Sequence, residues 1–273
     1  METLSTFNCR GHDGIVLSGA AAGDPDGEPM VLLHGYSDSW RSYLPLMREL
    51  PPRLRLIALS LRGHGDSAKP AGPYGTGPMA RDVAAAMDQL GIARATIVGH
   101  SMGSLVAQRF AQEYAPRVSR LVLIGAFVAL KGNPGGEAMW RDALSGMADP
   151  VDRAFAQAFQ ESSLARPVPA DFLAGTIDES LKLPARVWRA VFDPLRQEDR
   201  SALLGRIAAE TTLIWGDRDA FCSRAMQDQL ARSIPKARLL VYEGTGHAPH
   251  WEEPARAAAD IAAAIGTPRR AAA

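Results

Sequence analysis

The sequence has few cysteines, no surplus charge of either sign and no long apolar run. Its two cysteines, Cys9 and Cys222, lie far apart among 273 residues and outside any CxxC or Cys/His spacing. We interpret both as unpaired core thiols, because isolated cysteines form neither a disulfide framework nor a thiolate metal site. Thirty Lys and Arg residues balance thirty Asp and Glu residues. No excess of cations is therefore available to bind a nucleic-acid backbone or an anionic membrane.

The signals of a membrane-spanning or secreted protein are missing as well. No apolar run reaches the ~18 residues that cross a bilayer. The first ten residues, METLSTFNCR, lack a basic segment followed by an apolar one. We therefore expect a cytoplasmic protein with no nucleic-acid or membrane partner. Hydrophobic residues make up 47% of the chain, and the length suits one large domain or one domain with an insertion.

Short continuous apolar runs alternate with helical patterns along most of the chain. The runs cover residues 30–33, 56–59, 95–98, 121–124, 212–215 and 239–242. Continuous runs are typical of strands buried on both faces. Their alternation with helices predicts an α/β fold, with a mostly parallel sheet and helices on both faces. Near the start, segments 7–9 and 15–18 flank a GHDG turn, which predicts an antiparallel hairpin at the sheet edge.

The alternation stops after residue 124. From residue 131 to residue 206 there is no strand pattern, and large apolar side chains recur at helical spacing. Glycines and a proline mark both boundaries. We predict a mainly helical insertion at 131–206, between core segments 1–130 and 207–273. The final TPRRAAA, residues 267–273, has no side chain that would anchor it to a core, and we predict a loose tail.

The most informative stretch is a predicted strand at 95–98 that runs into GHSMG at 99–103 and then into a helix. A serine at such an elbow takes a strained backbone conformation, and Gly99 and Gly103 give the chain room to pass. The helix that follows directs free N–H groups at any oxyanion beside Ser101. Taken alone, the same five residues also fit a Gly-Ser turn that caps a helix.

A serine nucleophile needs a base, and the base needs an acid that fixes its tautomer. Candidate partners follow two later strands, in GDRD at 216–219 and in GTGH at 244–247. Loops at the carboxyl ends of strands form the site of an open α/β sheet. The order Ser101, then Asp217 or Asp219, then His247 is one of the known orders of catalytic triads.

With these motifs the sequence resembles the α/β-hydrolase superfamily over nearly its whole length. The motifs are LHGY at 33–36, RGHGDS at 62–67, GHSMG at 99–103, WGDRD at 215–219 and GH at 246–247. The resemblance implies an eight-stranded sheet with a helical cap inserted after strand six. It also implies Ser101 as nucleophile, His247 as base and Asp219 as acid, with Asp217 as a turn residue. The backbone N–H groups of Tyr36 and Met102 would then form the oxyanion hole.

We expect no cofactor and no metal. Among the six histidines, no pair has metal-ligand spacing together with a third ligand. His247 and His250 lie three residues apart, but a metal there would compete with the base. The loop at 62–67 matches neither phosphate-binding glycine pattern. We interpret His34 and His64 as residues that hold loops together and His100 as one that lines the elbow.

The aromatic residues of the predicted cap have two interpretations. Most should pack the cap on the sheet, yet some must line a pocket over Ser101. The candidates for the pocket are Trp140, Phe159, Phe172, Trp188 and Phe192. An apolar pocket favours a small to medium carboxylic ester or lactone as substrate. The oligomeric state is not indicated by any motif.

Other functions also fit the motifs. The serine argues against the relatives with an aspartate nucleophile, the haloalkane dehalogenases and epoxide hydrolases. A C–C bond hydrolase of ring-cleavage products stays open, and the cap contains arginines that would suit a carboxylate substrate. A cofactor-free perhydrolase or haloperoxidase also stays open. A small-molecule receptor that retains the triad but turns over slowly is the alternative outside enzymes.

Overall fold

Eight strands form one sheet in the computed structural model, which describes residues 4–266. The strands are β1 (Ser5–Arg10), β2 (Val16–Gly23), β3 (Glu28–Leu33), β4 (Leu54–Leu59), β5 (Ala95–His100), β6 (Val118–Ile124), β7 (Thr211–Gly216) and β8 (Ala237–Tyr242). They are ordered β1-β2-β4-β3-β5-β6-β7-β8. β2 pairs antiparallel with β1 and β4, and all other pairs are parallel. The predicted sheet and its edge hairpin are confirmed, whereas the predicted tail at 267–273 lies outside the described residues.

Ten α-helices occur in the described part of the chain. They are α1 (Leu44–Glu49), α2 (Thr76–Gln89), α3 (Met102–Glu113), α4 (Pro134–Met139), α5 (Arg153–Glu161), α6 (Ala170–Leu181), α7 (Ala185–Gln197), α8 (Arg224–Ser233), α9 (Pro249–Glu252) and α10 (Pro254–Ile265). Among residues 4–266, no helix is both long and apolar enough to cross a membrane.

The helices cover both faces of the sheet, and each face has its own core. Successive residues of a strand point to opposite faces, so Val31 and Leu33 pack in one core and Met30 and Leu32 in the other. Residues of α2, α3 and α8 complete the first core, and residues of α1 and α10 complete the second. Every residue of β5 is buried. Burial on both faces therefore explains why the central strands are continuous apolar runs.

Four helices, α4 to α7, lie between β6 and β7. In the same stretch the chain makes one isolated bridge, between Ala129 and Asp199, and no named strand within the described residues. The helical character that the spacing predicts for this insertion is present. The division into a core of 1–130 and 207–273 and a cap of 131–206 stays a prediction.

A buried ion pair shapes the loop that follows β4. Arg62 donates from Nε to Asp82 Oδ2 at 2.6 Å and from Nη2 to Asp82 Oδ1 at 2.7 Å. At most 1% of either side chain is exposed. Two parallel hydrogen bonds match the planar guanidinium to the carboxylate and compensate part of the cost of burying both charges. The RGHGDS loop at 62–67 is thereby tied to α2, which agrees with a structural role for this loop.

Candidate active site

Ser101 occupies a strained elbow between β5 and α3. Its backbone has φ 52° and ψ −117°, and its N–H donates to the Ile124 carbonyl at 3.0 Å. Positive φ is unfavourable for a residue with a Cβ and persists only where the surroundings enforce it. A Cβ on Gly103 would collide with the carbonyl oxygen of Leu33, and one on Gly99 with that of Gly103. The two glycines therefore allow α3 to pack directly against the sheet beside Ser101.

His247 and Asp219 form a buried hydrogen-bonded pair at the carboxyl ends of β8 and β7. His247 Nδ1 lies 2.8 Å from Asp219 Oδ2. The other carboxylate oxygen, Oδ1, accepts the backbone N–H groups of Phe221 at 2.8 Å and Cys222 at 2.9 Å. Since a carboxylate can only accept, Nδ1 carries the imidazole proton. The Nε2 atom of His247 is left as the proton acceptor.

The backbone of His247 is held from two sides. Its N–H donates to the Ser163 carbonyl at 2.8 Å, and its own carbonyl accepts from His100 Nε2 at 3.1 Å. Burial lowers the pKa of His100 well below its usual value, so His100 is neutral and donates from one nitrogen. A Cβ on Gly125 would lie 2.5 Å from the His247 carbonyl oxygen. These contacts hold the backbone of His247 in place, and with it the position of its imidazole.

Asp217 has a different environment from Asp219. Its Oδ1 accepts the backbone N–H of Gly244 at 2.6 Å, and the residue is exposed. This contact ties the loop after β7 to the loop after β8. The structure thus brings Asp219 into contact with His247. Asp217 makes a backbone contact of the kind expected for a turn residue.

Ser101 and His247 line one cavity of about 420 Å³, together with Tyr36 and Met102. Met102 begins α3, so its N–H has no partner within the helix. Within residues 4–266 the Tyr36 N–H donates no hydrogen bond to a protein atom. The Tyr36 hydroxyl donates to the Trp188 carbonyl at 2.7 Å and joins its loop to α7. Two free N–H groups beside a serine are the elements of an oxyanion hole.

Two of the five aromatic residues predicted for the pocket line this cavity, namely Phe159 and Phe192. The expectation is corrected for the other three. Trp188 is fully buried and packs edge-on against the Tyr36 ring with the centroids 5.0 Å apart. Phe172 packs against Trp251, and the ring of Trp140 lies under the Arg196 guanidinium at 4.7 Å. Helical spacing indicates that a residue faces inward, but not whether it meets the sheet or a cavity.

Sequence reasoning missed several residues of the cavity wall. The apolar ones include Phe127, Leu130, Met139, Leu195, Phe221 and Met226, and the polar ones include Asp38, Gln160 and Ser163. Phe127 and Leu130 follow β6, and Phe221 follows Asp219. Their positions just after strand carboxyl ends were the available signal. Gln160 and Ser163 come from the helical insertion and had no such signal.

The remaining loop histidines hold neighbouring segments together. His34 Nε2 accepts the Leu61 N–H at 2.9 Å, and its Nδ1 lies 2.7 Å from the Gly35 carbonyl. His64 Nδ1 lies 3.0 Å from the Arg62 carbonyl, and burial lowers the pKa of His64 to about 4. The rings of His34 and His64 lie 4.9 Å apart and so join the loops after β3 and β4. Neither residue belongs to the cavity wall among the described residues.

Among the described residues, one group has side-chain atoms of the types that bind metals close together. It consists of Asp219, Cys222 and His247, whose atoms lie within 4.8 Å of one another. These atoms already have partners, because Asp219 binds His247 and Cys222 Sγ donates to the Gly125 carbonyl at 3.3 Å. Burial raises the pKa of Cys222 well above its usual value, which keeps the thiol protonated, whereas a metal binds the thiolate. The group fits a hydrogen-bonded acid and base better than a metal centre.

Comparison with known proteins places the chain in a family. The family model described as alpha/beta hydrolase fold matches residues 28–254, and the chain belongs to this family. An uncharacterized Mycobacterium tuberculosis protein is 30% identical over 84% of this chain and 73% of that protein. A pimeloyl-[acyl-carrier protein] methyl ester esterase of Neisseria meningitidis serogroup B is 30% identical over 82% of this chain and 88% of the esterase. A solved esterase structure from a Rhodococcus species has a TM-score of 0.85 at 27% identity, covering 96% of this chain and 99% of that one.

Proposed function

We propose that the protein is a serine hydrolase that cleaves a carboxylic ester or lactone of a small to medium, largely apolar substrate. The observation that carries this proposal is that Ser101, on its strained elbow, and His247, hydrogen-bonded to Asp219, line the same cavity. The esterases among its relatives support ester hydrolysis in general. A serine, a histidine and an aspartate are the three side chains that such a triad uses for acyl transfer, whatever their order in the chain.

In the first half of the reaction, His247 Nε2 takes the proton of Ser101 Oγ, and Oγ attacks the ester carbonyl carbon. The carbonyl oxygen becomes an oxyanion, which the Tyr36 and Met102 N–H groups bind. As the tetrahedral intermediate collapses, the C–O bond to the alcohol breaks, and the alkoxide takes the proton from His247. Water then repeats the sequence on the acyl-enzyme and releases the acid.

Asp219 and the oxyanion donors supply electrostatic stabilisation. Asp219 holds the imidazole in the tautomer with the proton on Nδ1 and stabilises the imidazolium that forms. Each oxyanion donor contributes roughly 10² to 10³ in kcat when it is preorganised as a backbone N–H. Every step uses groups of this chain, so the mechanism requires no cofactor.

The walls of the cavity favour an apolar substrate. Phe127, Leu130 and Met139 line it, together with Phe159 and Phe192. Apolar contact stabilises a bound ligand by roughly 25 cal/mol per Å² of buried surface before the costs of association. We propose that residues 131–206 act as a cap over Ser101, because α5 and α7 contribute Phe159 and Phe192 to the wall.

The arginines of the cap do not favour the C–C hydrolase alternative. They are Arg141, Arg153, Arg166, Arg186 and Arg189. Arg141 pairs with Asp142, Arg153 with Asp178 and Arg166 with Glu253. Arg186 donates to the backbone carbonyls of Lys69 and Pro70. Arg189 donates to the backbone carbonyl of Met147. In the part of the chain that the structure describes, none of the five lines the cavity, so none is placed to bind a substrate carboxylate.

Steady-state hydrolysis of p-nitrophenyl esters from acetate to dodecanoate tests the proposal. The wild type should turn over many times with an optimum chain length, and Ser101→Ala should lose this activity. Ser104→Ala is the matched control, because Ser104 is a buried serine of α3 whose hydroxyl has no hydrogen-bond partner. Near-normal turnover by Ser101→Ala would overturn the mechanism. A folded wild type that binds esters without turnover would favour the receptor.

A further inference from the structure

One part of the cavity wall is polar and differs from the apolar remainder. Asp38, Gln160 and Ser163 all line the cavity. Their exposed fractions are 3%, 1% and 7%. Polar side chains buried this deeply are normally hydrogen-bonded, so an acceptor or donor without a partner among them indicates a place for a ligand group.

Gln160 leaves its amide oxygen unused. Its Nε2 donates toward Asp38 Oδ1 at 2.9 Å, Ser180 Oγ at 2.8 Å and Ser37 Oγ at 3.3 Å. Ser180 Oγ gives its own hydrogen to the Thr176 carbonyl, so toward Gln160 it accepts, as Asp38 Oδ1 does. The contacting amide atom is therefore the nitrogen, and these two shorter contacts use its two hydrogens. Within residues 4–266, Gln160 Oε1 accepts no hydrogen bond. The amide is thus fixed in orientation and keeps a free acceptor.

Ser163 is held by its backbone and keeps its hydroxyl free. Its N–H donates to the Gln160 carbonyl at 3.2 Å, and its carbonyl accepts the His247 N–H at 2.8 Å. No protein atom in the described range pairs with Ser163 Oγ. Neither this hydroxyl nor Gln160 Oε1 is among the fully enclosed atoms without a partner. Both atoms therefore keep some exposed surface, and their residues line the cavity. The hydrogen bond from the His247 N–H to the Ser163 carbonyl places Ser163 next to the candidate catalytic base.

The charge of the wall restricts what can bind there. Among the described residues, no lysine or arginine lines the cavity. Asp38 contributes a carboxyl group to the wall, and burial raises the pKa of Asp38 to about 7. A ligand carboxylate would lose its hydration and find no cation, which is unfavourable. The wall suits an uncharged group that can both donate and accept a hydrogen bond.

We propose that Gln160 Oε1 and Ser163 Oγ form a subsite for an uncharged hydroxyl group of the ester substrate. The hydroxyl donates to Gln160 Oε1 and accepts the hydrogen of Ser163 Oγ. The enzyme accordingly prefers hydroxylated esters and discriminates against carboxylate-bearing ones of the same length. This inference rests on the proposed ester hydrolysis and names the substrate class of that site.

A hydroxyl scan tests the subsite. kcat/KM is measured for ethyl hexanoate, for its hydroxyl derivatives at C3 to C6 and for monoethyl adipate, and the alcohol half is scanned in the same way from hexyl acetate. At one position the hydroxyl should raise kcat/KM about tenfold over the parent ester, the order of one or two hydrogen bonds. The kcat/KM for monoethyl adipate should be lower than that for ethyl hexanoate.

Two variants assign the effect to the named atoms. Ser163→Ala should bring the ratio of the preferred hydroxy ester to its parent close to one, and Gln160→Met should do the same. Ser162→Ala should keep the wild-type ratio, because Ser162 is exposed and its hydroxyl donates to the Phe159 carbonyl. If Gln160→Met fails to fold, Ser163→Ala alone decides the matter.

Different results would disprove the hydroxyl subsite and the ester hydrolysis on which it rests. If the parent esters are hydrolysed in a Ser101-dependent way but no hydroxyl position raises kcat/KM above that of the parent ester, the subsite alone is overturned. The subsite is also overturned if kcat/KM for monoethyl adipate equals that for the hydroxy esters. The same conclusion follows if Ser163→Ala keeps the full preference for the hydroxy ester over its parent. Absence of hydrolysis of every ester in the scan overturns the proposed function instead.

Discussion

His247 Nδ1 lies 2.8 Å from Asp219 Oδ2, although 28 residues separate the two in the chain. β7 and β8 are parallel neighbours, so the loops at their carboxyl ends meet at one edge of the sheet. The carboxylate is held in turn by the N–H groups of Phe221 and Cys222. These hydrogen bonds hold the imidazole of His247 in one orientation at the wall of the cavity.

Replacing each aspartate by asparagine should distinguish the role of Asp219 from that of Asp217. Asp219→Asn presents an amide to Nδ1 and favours the wrong imidazole tautomer, so we expect kcat to fall by about 10⁴. Asp217→Asn alters a contact to the Gly244 N–H and should leave kcat nearly unchanged. Steady-state kinetics with the best p-nitrophenyl ester measure both effects. The opposite ranking would transfer the acid role to Asp217.

Gly103→Ala tests the packing of the elbow. The new Cβ would collide with the Leu33 carbonyl oxygen, and backbone atoms of β3 move only at a cost, so we expect a loss of unfolding free energy of ~3 kcal/mol or more. Gly146→Ala is the matched control, because a Cβ there meets nothing within 4 Å. Urea denaturation compares the two variants, and equal stability would contradict the described packing.

The titration of Asp38 should appear in the stability of the protein. Burial raises the pKa of Asp38 to about 7, against ~3.9 in an unfolded chain. Between these values the folded state keeps a proton that the unfolded state has released. The free energy of unfolding should therefore fall as pH rises from ~4 to ~7, by at most about 4 kcal/mol from this group.

Asp38→Asn isolates this effect, because an amide does not titrate. His100 Nδ1 lies 3.9 Å from Asp38 Oδ2, and His247 and Glu179 also interact electrostatically with Asp38. All three are present in both proteins, so their own titrations largely cancel in the comparison. Urea denaturation at several pH values should show the variant gaining stability over the wild type as pH rises. A stability difference that stays constant from pH 4 to pH 8 would count against a protonated Asp38.

Removal of divalent metals should not change activity. Asp219, Cys222 and His247 lie close together, but the proposed mechanism uses Asp219 as the acid and His247 as the base and leaves Cys222 a thiol. We expect dialysis against EDTA to leave kcat/KM of the wild type unchanged. A large loss that one divalent metal restores would show that the three residues act as a metal centre.

Much of the fold could be predicted from local sequence patterns. The apolar runs of β3 to β8 are continuous because helices cover both faces, and the prediction of the parallel sheet is confirmed. Ser101, Asp219 and His247 could be picked out because each lies in a short motif just after a strand. The structure brings the last two into contact and places Ser101 on the same cavity.

The cavity wall could not be predicted in the same way. Trp188 and Phe192 lie four residues apart on one face of α7, yet Trp188 packs under Tyr36 and Phe192 reaches the cavity. Spacing along a helix gives the face but not the depth of a residue. Gln160 meets Asp38 across 122 positions of sequence, a contact that depends on how the insertion lies over the sheet.

The central claim is that Ser101 carries the acyl group. The most direct measurement mixes the wild type with p-nitrophenyl butyrate, quenches the reaction in acid within milliseconds and maps the acylated peptide by mass spectrometry. We expect one butyryl group on Ser101, which is lost on the timescale of turnover and is absent from Ser101→Ala. A butyryl group on a different side chain that forms and decays at the rate of turnover would contradict it.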